Sequence, residues 1–176
     1  MMLIGKLCTA LLTLAAFAIP AQADISAPRS TAMLGVFFQN DNEAYQPTSD
    51  AERARMAAIE AQFKSTLDST DRYKFVQMKP DVRADIVNGQ PLSECGGCEI
   101  DFGKRLGADT VAWIRVQKVS NLILNMNVYV ADVATQKMLF LHSVDMRNNT
   151  DESWTRSMDY LLKNYLLPTL AVPAAG

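Results

Sequence analysis

Three apolar-rich runs, 110–119, 122–133 and 138–146, follow one another with only Ser120-Asn121 and residues 134–137 between them. Breaks that short cannot carry a crossover, so the runs are expected to pair as an antiparallel meander. Such a meander needs cover on at least one face, and the rest of the chain must supply it. Upstream, MLGVFF at 33–38 reads as a buried strand and YKFVQM at 73–78 as a second one. Between them, Ser49 and Glu52 have the spacing of a capping box. Met56, Ile59, Phe63 and Leu67 then recur at steps of three and four on one helix face. Pro80 opens a short helix to Val87, closed by Asn88-Gly89, and a further helix is expected over 98–106 with Gly107 as its C-terminal cap. The last helix starts at Asn149 or Thr150, turns Trp154, Met158, Leu161 and Tyr165 to the core, and ends at Pro168. This order predicts a single α/β (α+β) domain over 31–170. Its expected architecture is a mixed sheet of about five strands, with the meander at its C-terminal end and helices packed on it.

The segment ahead of the domain reads as an address. Lys6 supplies a positive start, residues 7–19 are apolar, Pro20 breaks the run, and Ala21-Gln22-Ala23 has the small-x-small pattern of a cleavage site. As a helix the run spans ~20 Å, short of the ~30 Å hydrocarbon core. Residues 1–23 are therefore expected to be a cleaved signal peptide, 24–30 a flexible lead and 171–176 a flexible tail. No later stretch reaches membrane length, so the expected location is the periplasm, with no membrane insertion after cleavage. With 17 Lys+Arg against 19 Asp+Glu the chain is close to neutral, which argues against nucleic acid as a partner. A hydrophobic content of 49% argues against disorder.

Cys95-Gly96-Gly97-Cys98 is the sharpest chemical feature. In an oxidising compartment the pair is expected to be a disulfide that staples a loop. The alternative is a redox-active pair at a helix N-terminus, where a thiol pKa is lowered. Glu99 stands where haem attachment needs His, and zinc would need two further ligands that His142 alone cannot complete, so neither a metal nor a cofactor is expected. His142 is expected opposite Tyr129, on the sheet face that carries Asn125 and Asn127; a hydrogen-bonded surface residue is the favoured reading, and a polar patch lining a small-ligand pocket is the other. Arg147, Trp154 and Arg156 crowd the junction into the last helix, where Asn149, Thr150 and Asp151 are explained by capping and Arg147 is free to pair with a neighbouring acid. Lys118, Ser120 and Asn121 mark a hairpin whose flank Leu122-Ile123-Leu124 cannot all face one side. A strand buried on both sides is the favoured explanation, and a sticky docking surface is the other.

The strings Leu106-Gly107-Ala108-Asp109, residues 117–124 (QKVSNLIL) and residues 144–154 (VDMRNNTDESW) resemble an uncharacterised secreted bacterial family of the DUF3280/DUF2380 type. Asn148 stands where that family's pattern has Gly. The element order is also similar to the N-terminal domain of TolB and to curli-secretion and lipoprotein-activator domains. The resemblance implies an envelope docking or assembly module, and its association with periplasmic quinoprotein alcohol dehydrogenases implies an accessory role. The expected function is a non-enzymatic periplasmic binding or assembly accessory with an envelope protein as partner. Its contacts are expected at Lys118, Ser120, Asn121, Arg147, Trp154 and Arg156. A thiol–disulfide oxidoreductase and a small-ligand carrier are the alternatives.

Overall fold

The computed structural model describes residues 27–171, so the expected signal peptide and all but the start of the tail lie outside the described residues. The elements run β1 (Arg29–Asn40), α1 (Asp50–Asp68), β2 (Tyr73–Phe75), α2 (Pro80–Asn88), α3 (Cys98–Leu106), β3 (Thr110–Ser120), β4 (Ile123–Asp132), β5 (Met138–Arg147), α4 (Asp151–Leu161), a π-helical turn (Leu162–Leu166) and α5 (Leu167–Ala171). They build one mixed five-stranded sheet in the order β2-β1-β3-β4-β5. Strand β1 runs parallel to β2 and β3, while β3, β4 and β5 form the antiparallel meander. The α/β architecture expected from the sequence is the observed one.

Helices pack on both faces of the sheet. On one face α1, α4 and the π-helical turn bury Ile59, Phe63, Leu67, Trp154, Met158 and Leu166 against Ile114, Met126 and Val128. On the other, α2 and α3 set Val82, Ile86, Phe102 and Leu106 over Leu34, Val111 and Trp113. This second layer sits over β1 and β3, while Asn125, Asn127 and Tyr129 on β4 remain half-buried. Among the described residues no helix is long and apolar enough to cross a membrane.

Several local expectations change. Arg29 and Ser30, read as part of a flexible lead, pair with Tyr73 and Lys74 in the sheet. The second strand stops at Phe75, short of the expected Met78. Pro168 lies inside α5 and does not end the helical run. The π-helical turn ahead of it changes the hydrogen-bond spacing, so that Leu167 N–H reaches Leu162 O and the backbone widens where a proline ring would otherwise clash.

The largest change concerns His142, which pairs with Val128 and not Tyr129. Val130 pairs with Phe140 and Ala131 with Met138, so Leu139 is an extra, unpaired residue. One extra residue moves every side chain beyond it to the opposite face. His142 therefore lies on the α4 side, stacked on Tyr165 with ring centroids 3.6 Å apart. The expected patch of Asn125, Asn127, Tyr129 and His142 is split between two faces.

Candidate functional site

The C-terminal ends of β1, β3 and β5 meet the N-termini of α1 and α4 at one end of the strands, the place where α/β sheets offer a crevice. A cleft of about 600 Å³ opens there, lined among others by Gln46, Arg55, Asn121, Asn148 and Thr150. Its floor follows from the capping box. Ser49 Oγ accepts from Glu52 N–H at 3.2 Å, and Ser49 N–H donates back to Glu52 Oε2 at 2.7 Å. This leaves Glu52 Oε1 pointing inward, where it accepts from Lys118 Nζ at 2.7 Å and from Asn149 Nδ2 at 2.7 Å. Asn149 Oδ1 in turn accepts from Trp154 Nε1 at 2.9 Å and Arg55 Nη1 at 3.0 Å, and Arg55 Nε reaches Asp151 at 2.7 Å.

Burial alone would push the Glu52 carboxyl up. The ammonium of Lys118, the N–H and hydroxyl of Ser49 and the amide of Asn149 outweigh it and hold the group at about 2. A carboxylate held that low stays ionised throughout the physiological range and is no proton donor there. The network joins α1, β3, the β5–α4 junction and α4, and its charges are met within it.

The structure separates the expected contact residues into two groups. Lys118 and Trp154 are 3% and 1% exposed and hold the floor of the cleft, so their side chains are not available to a partner. Ser120 is partly exposed and its hydroxyl accepts from Leu122 N–H within the turn. Asn121, Arg147 and Arg156 are exposed. Arg156 pairs with Glu152 at 2.9 Å. Among the described residues Arg147 forms no salt bridge, and both neighbouring acids are taken, Asp151 by Arg55 and Glu152 by Arg156.

The run Leu122-Ile123-Leu124 is not buried on both sides. Leu124 is 1% exposed, but Leu122 is 68% and Ile123 61% exposed, and Val119 across the turn is 47% exposed. The adjoining loop is tied to this tip, because Asn42 Nδ2 donates to Val119 O at 2.7 Å and Asp41 N–H to Lys118 O at 3.0 Å. The same loop carries Tyr45, which is 89% exposed. The tip therefore presents apolar side chains beside the polar rim of the cleft.

Asn125, Asn127 and Tyr129 share one face and are engaged with neighbours. Asn127 Nδ2 donates to Asn125 Oδ1 at 2.7 Å, Asn125 Nδ2 to Asp145 at 3.0 Å, and Tyr129 stacks on Trp113 at 4.8 Å. His142 and Arg156 are brought together elsewhere, in a groove of about 510 Å³ between β5 and α4 that Tyr160 and Tyr165 also line.

Cys95 and Cys98 are joined by a disulfide at the start of α3, with both residues half-buried. Beside them Glu99 is 5% exposed and accepts from Ser93 N–H. Donor atoms of Cys95, Cys98 and Glu99 lie within 4.8 Å of one another, the metal-compatible grouping found among the described residues. With the sulfurs bonded to each other, neither is a thiolate ligand.

The sequence reading missed Arg55, Tyr45 and Glu99, and gave Glu52 only its cap. One signal was present for Glu52. Lys118 sits in a strand two residues after Val116, on the same face, and a lysine buried there requires a carboxylate.

Among curated proteins none matches the sequence. In solved structures the chain is similar to the hypothetical protein CT253 from Chlamydia trachomatis, at 15% identity over 82% of this chain and 99% of that one, with a TM-score of 0.50. It is also similar to the LpoB C-terminal domain from Salmonella enterica (12% identity, 71% of this chain, 87% of that chain, TM-score 0.47). TolB from Acinetobacter baumannii matches at 15% identity over 86% of this chain but 30% of its own length, with a TM-score of 0.47. A family model matches residues 29–166, and the chain belongs to that family, DUF3280, described as a protein of unknown function (DUF2380).

Proposed function

We propose that this protein is an exported accessory of the bacterial envelope that docks a protein partner through the tip of the β3–β4 hairpin. The observation that carries this reading is the exposure of Val119, Leu122 and Ile123 around one turn, with the exposed Tyr45 on the loop tied to it through Asn42. A hairpin tip gains nothing in the monomer by holding apolar side chains in water, whereas apolar and aromatic anchors inside a polar rim are what a protein interface uses. Asn121, Asn148 and Arg147 supply that rim. The charged groups of the cleft support binding over catalysis, since Glu52, Lys118 and Arg55 are all committed to structural partners. The family resemblance makes a periplasmic quinoprotein dehydrogenase the first partner to test.

A photo-crosslinking residue placed at Leu122 in the full exported chain tests this reading. The control is the same residue at Val87, a 73% exposed site on α2. The expected result is an adduct with one envelope protein from Leu122 and not from Val87, abolished by I123E without a change in Tm. Equal adducts from both positions, or none from Leu122, would overturn the proposal.

A further inference from the structure

We propose that Cys95 and Cys98 form a thiol–disulfide exchange site, with the buried Glu99 carboxylate as its proton carrier and a cysteine dithiol as its reaction partner. This is independent of the hairpin reading, because the pair lies with α2 and α3 on the other side of the sheet from α1 and α4.

The disulfide is a poor staple where it stands. It links residues three apart, and the shortest loops restrict the unfolded chain least. The loop is also held without it. Glu94 N–H reaches Pro91 O at 3.0 Å, Trp113 Nε1 donates to Ser93 Oγ at 3.1 Å, and Glu94 pairs with Arg115 at 3.5 Å. Opening the bond therefore leaves the segment anchored to β3 at two residues.

The surroundings suit exchange. Gly96 and Gly97 have positive φ, 68° and 105°, and a side chain at either would meet nothing within 4 Å. A thiol approaching the sulfurs thus passes over bare backbone. Cys98 is the first residue of the nine-residue helix α3, whose free N–H groups favour a thiolate there. Glu99 places a carboxylate within 4.8 Å of both sulfurs while almost wholly buried. Ser93 N–H engages Oε1 of this carboxylate, so the proton that thiol and thiolate forms exchange is assigned to Oε2.

The step balances as follows. A partner thiolate attacks Cys95 Sγ, the Cys95–Cys98 bond breaks, and Cys98 leaves as the thiolate and takes a proton from solvent. Glu99 accepts the proton of the partner's second thiol. That thiolate attacks the mixed disulfide, the partner closes its own disulfide, and Cys95 leaves and takes the proton back from Glu99. One dithiol is oxidised, one disulfide is reduced, and two electrons pass.

The experiment equilibrates the mature full chain in glutathione/glutathione disulfide buffers and counts free thiols by alkylation and mass. The expected result is that both forms are populated across these buffers and that their melting temperatures agree. E99Q still accepts from Ser93 N–H, and it should slow reduction by about tenfold or more with an unchanged Tm of the oxidised form. A pair that stays oxidised in every buffer, or a C95S/C98S variant that melts lower or fails to fold, would mark a staple and overturn the proposal. An E99Q rate equal to wild type would remove Glu99 from it.

Discussion

Lys118 Nζ lies 2.7 Å from Glu52 Oε1, and the two side chains are 4% and 2% exposed. The pair bridges β3 to the first turn of α1, 66 residues apart in sequence. A buried ion pair of this kind adds little over a well-packed apolar pair, but removing one partner leaves a charge with no counter-ion. K118M is therefore expected to cost about 3–5 kcal/mol. Adding E52Q to it should recover part of that loss, because the stranded charge is gone while an amide can still accept from Ser49 N–H. Urea unfolding at pH 7 of the two single variants and the double variant measures both quantities.

The same pair sets an acid limit on stability. Glu52 is held at about 2 in the folded chain against an ordinary value of 4.5. Its contribution is fully present above the unfolded value and is lost as pH falls through the folded one. The difference corresponds to about 3 kcal/mol, disappearing between roughly pH 5 and pH 2. Asp109 and Asp132 are also lowered, by hydrogen bonds from Ser30 and Thr135 respectively, so wild-type stability falls for more than one reason in this window. The difference between wild type and E52Q isolates Glu52. It should shrink steadily as unfolding is measured at lower pH, and a constant difference would refute the assignment.

Gly103 illustrates packing overruling helix propensity. A Cβ there would sit 2.5 Å from Val111 Cγ1 and 2.6 Å from Val133 Cγ2. Ala gains about 1 kcal/mol over Gly in a helix interior, whereas overpacking against two β-branched side chains costs about 1–3 kcal/mol. G103A is expected to lower the Tm. A rise would mean that α3 can shift away from the sheet at little cost.

Features written in neighbouring residues were legible in the sequence, and features written across the sheet were not. The Ser49–Glu52 box, the left-handed Gly107 cap and the three meander strands all depend on residues close in the chain, and all are found. Glu52's second role needed Lys118, a partner that only the β1–β3 pairing brings near. The face of His142 turned on the single unpaired Leu139, and no composition signal distinguishes a bulged residue from its paired neighbours. Trp154 read equally well as core and as contact because its indole needed a hydrogen-bond partner, and Asn149 provides one inside the fold. Leu122 and Ile123 show the reverse case: their pattern fitted a doubly covered strand, but Leu122 lies in the turn and Ile123 on the face of Asn125 and Asn127, where α2 and α3 cover β1 and β3 and not the start of β4.

Asn148 joins the local and long-range levels. It has φ 73°, the left-handed region, and its N–H donates to Leu122 O at 3.4 Å, which ties the β5–α4 junction to the hairpin tip. Asn tolerates this backbone better than other residues with a side chain, and Gly tolerates it without penalty. N148G should leave stability within about 0.5 kcal/mol, the relief of strain being offset by a freer unfolded chain. N148A should cost about 1 kcal/mol and N148V more, with the Tm falling in the order Gly, Asn or near it, Ala, Val. Because the tether to Leu122 is a backbone bond, N148G should also keep partner crosslinking at Leu122. Loss of that crosslink with stability intact would show that the partner reads the Asn148 amide itself, and would extend the docking surface from the hairpin tip onto the rim of the cleft.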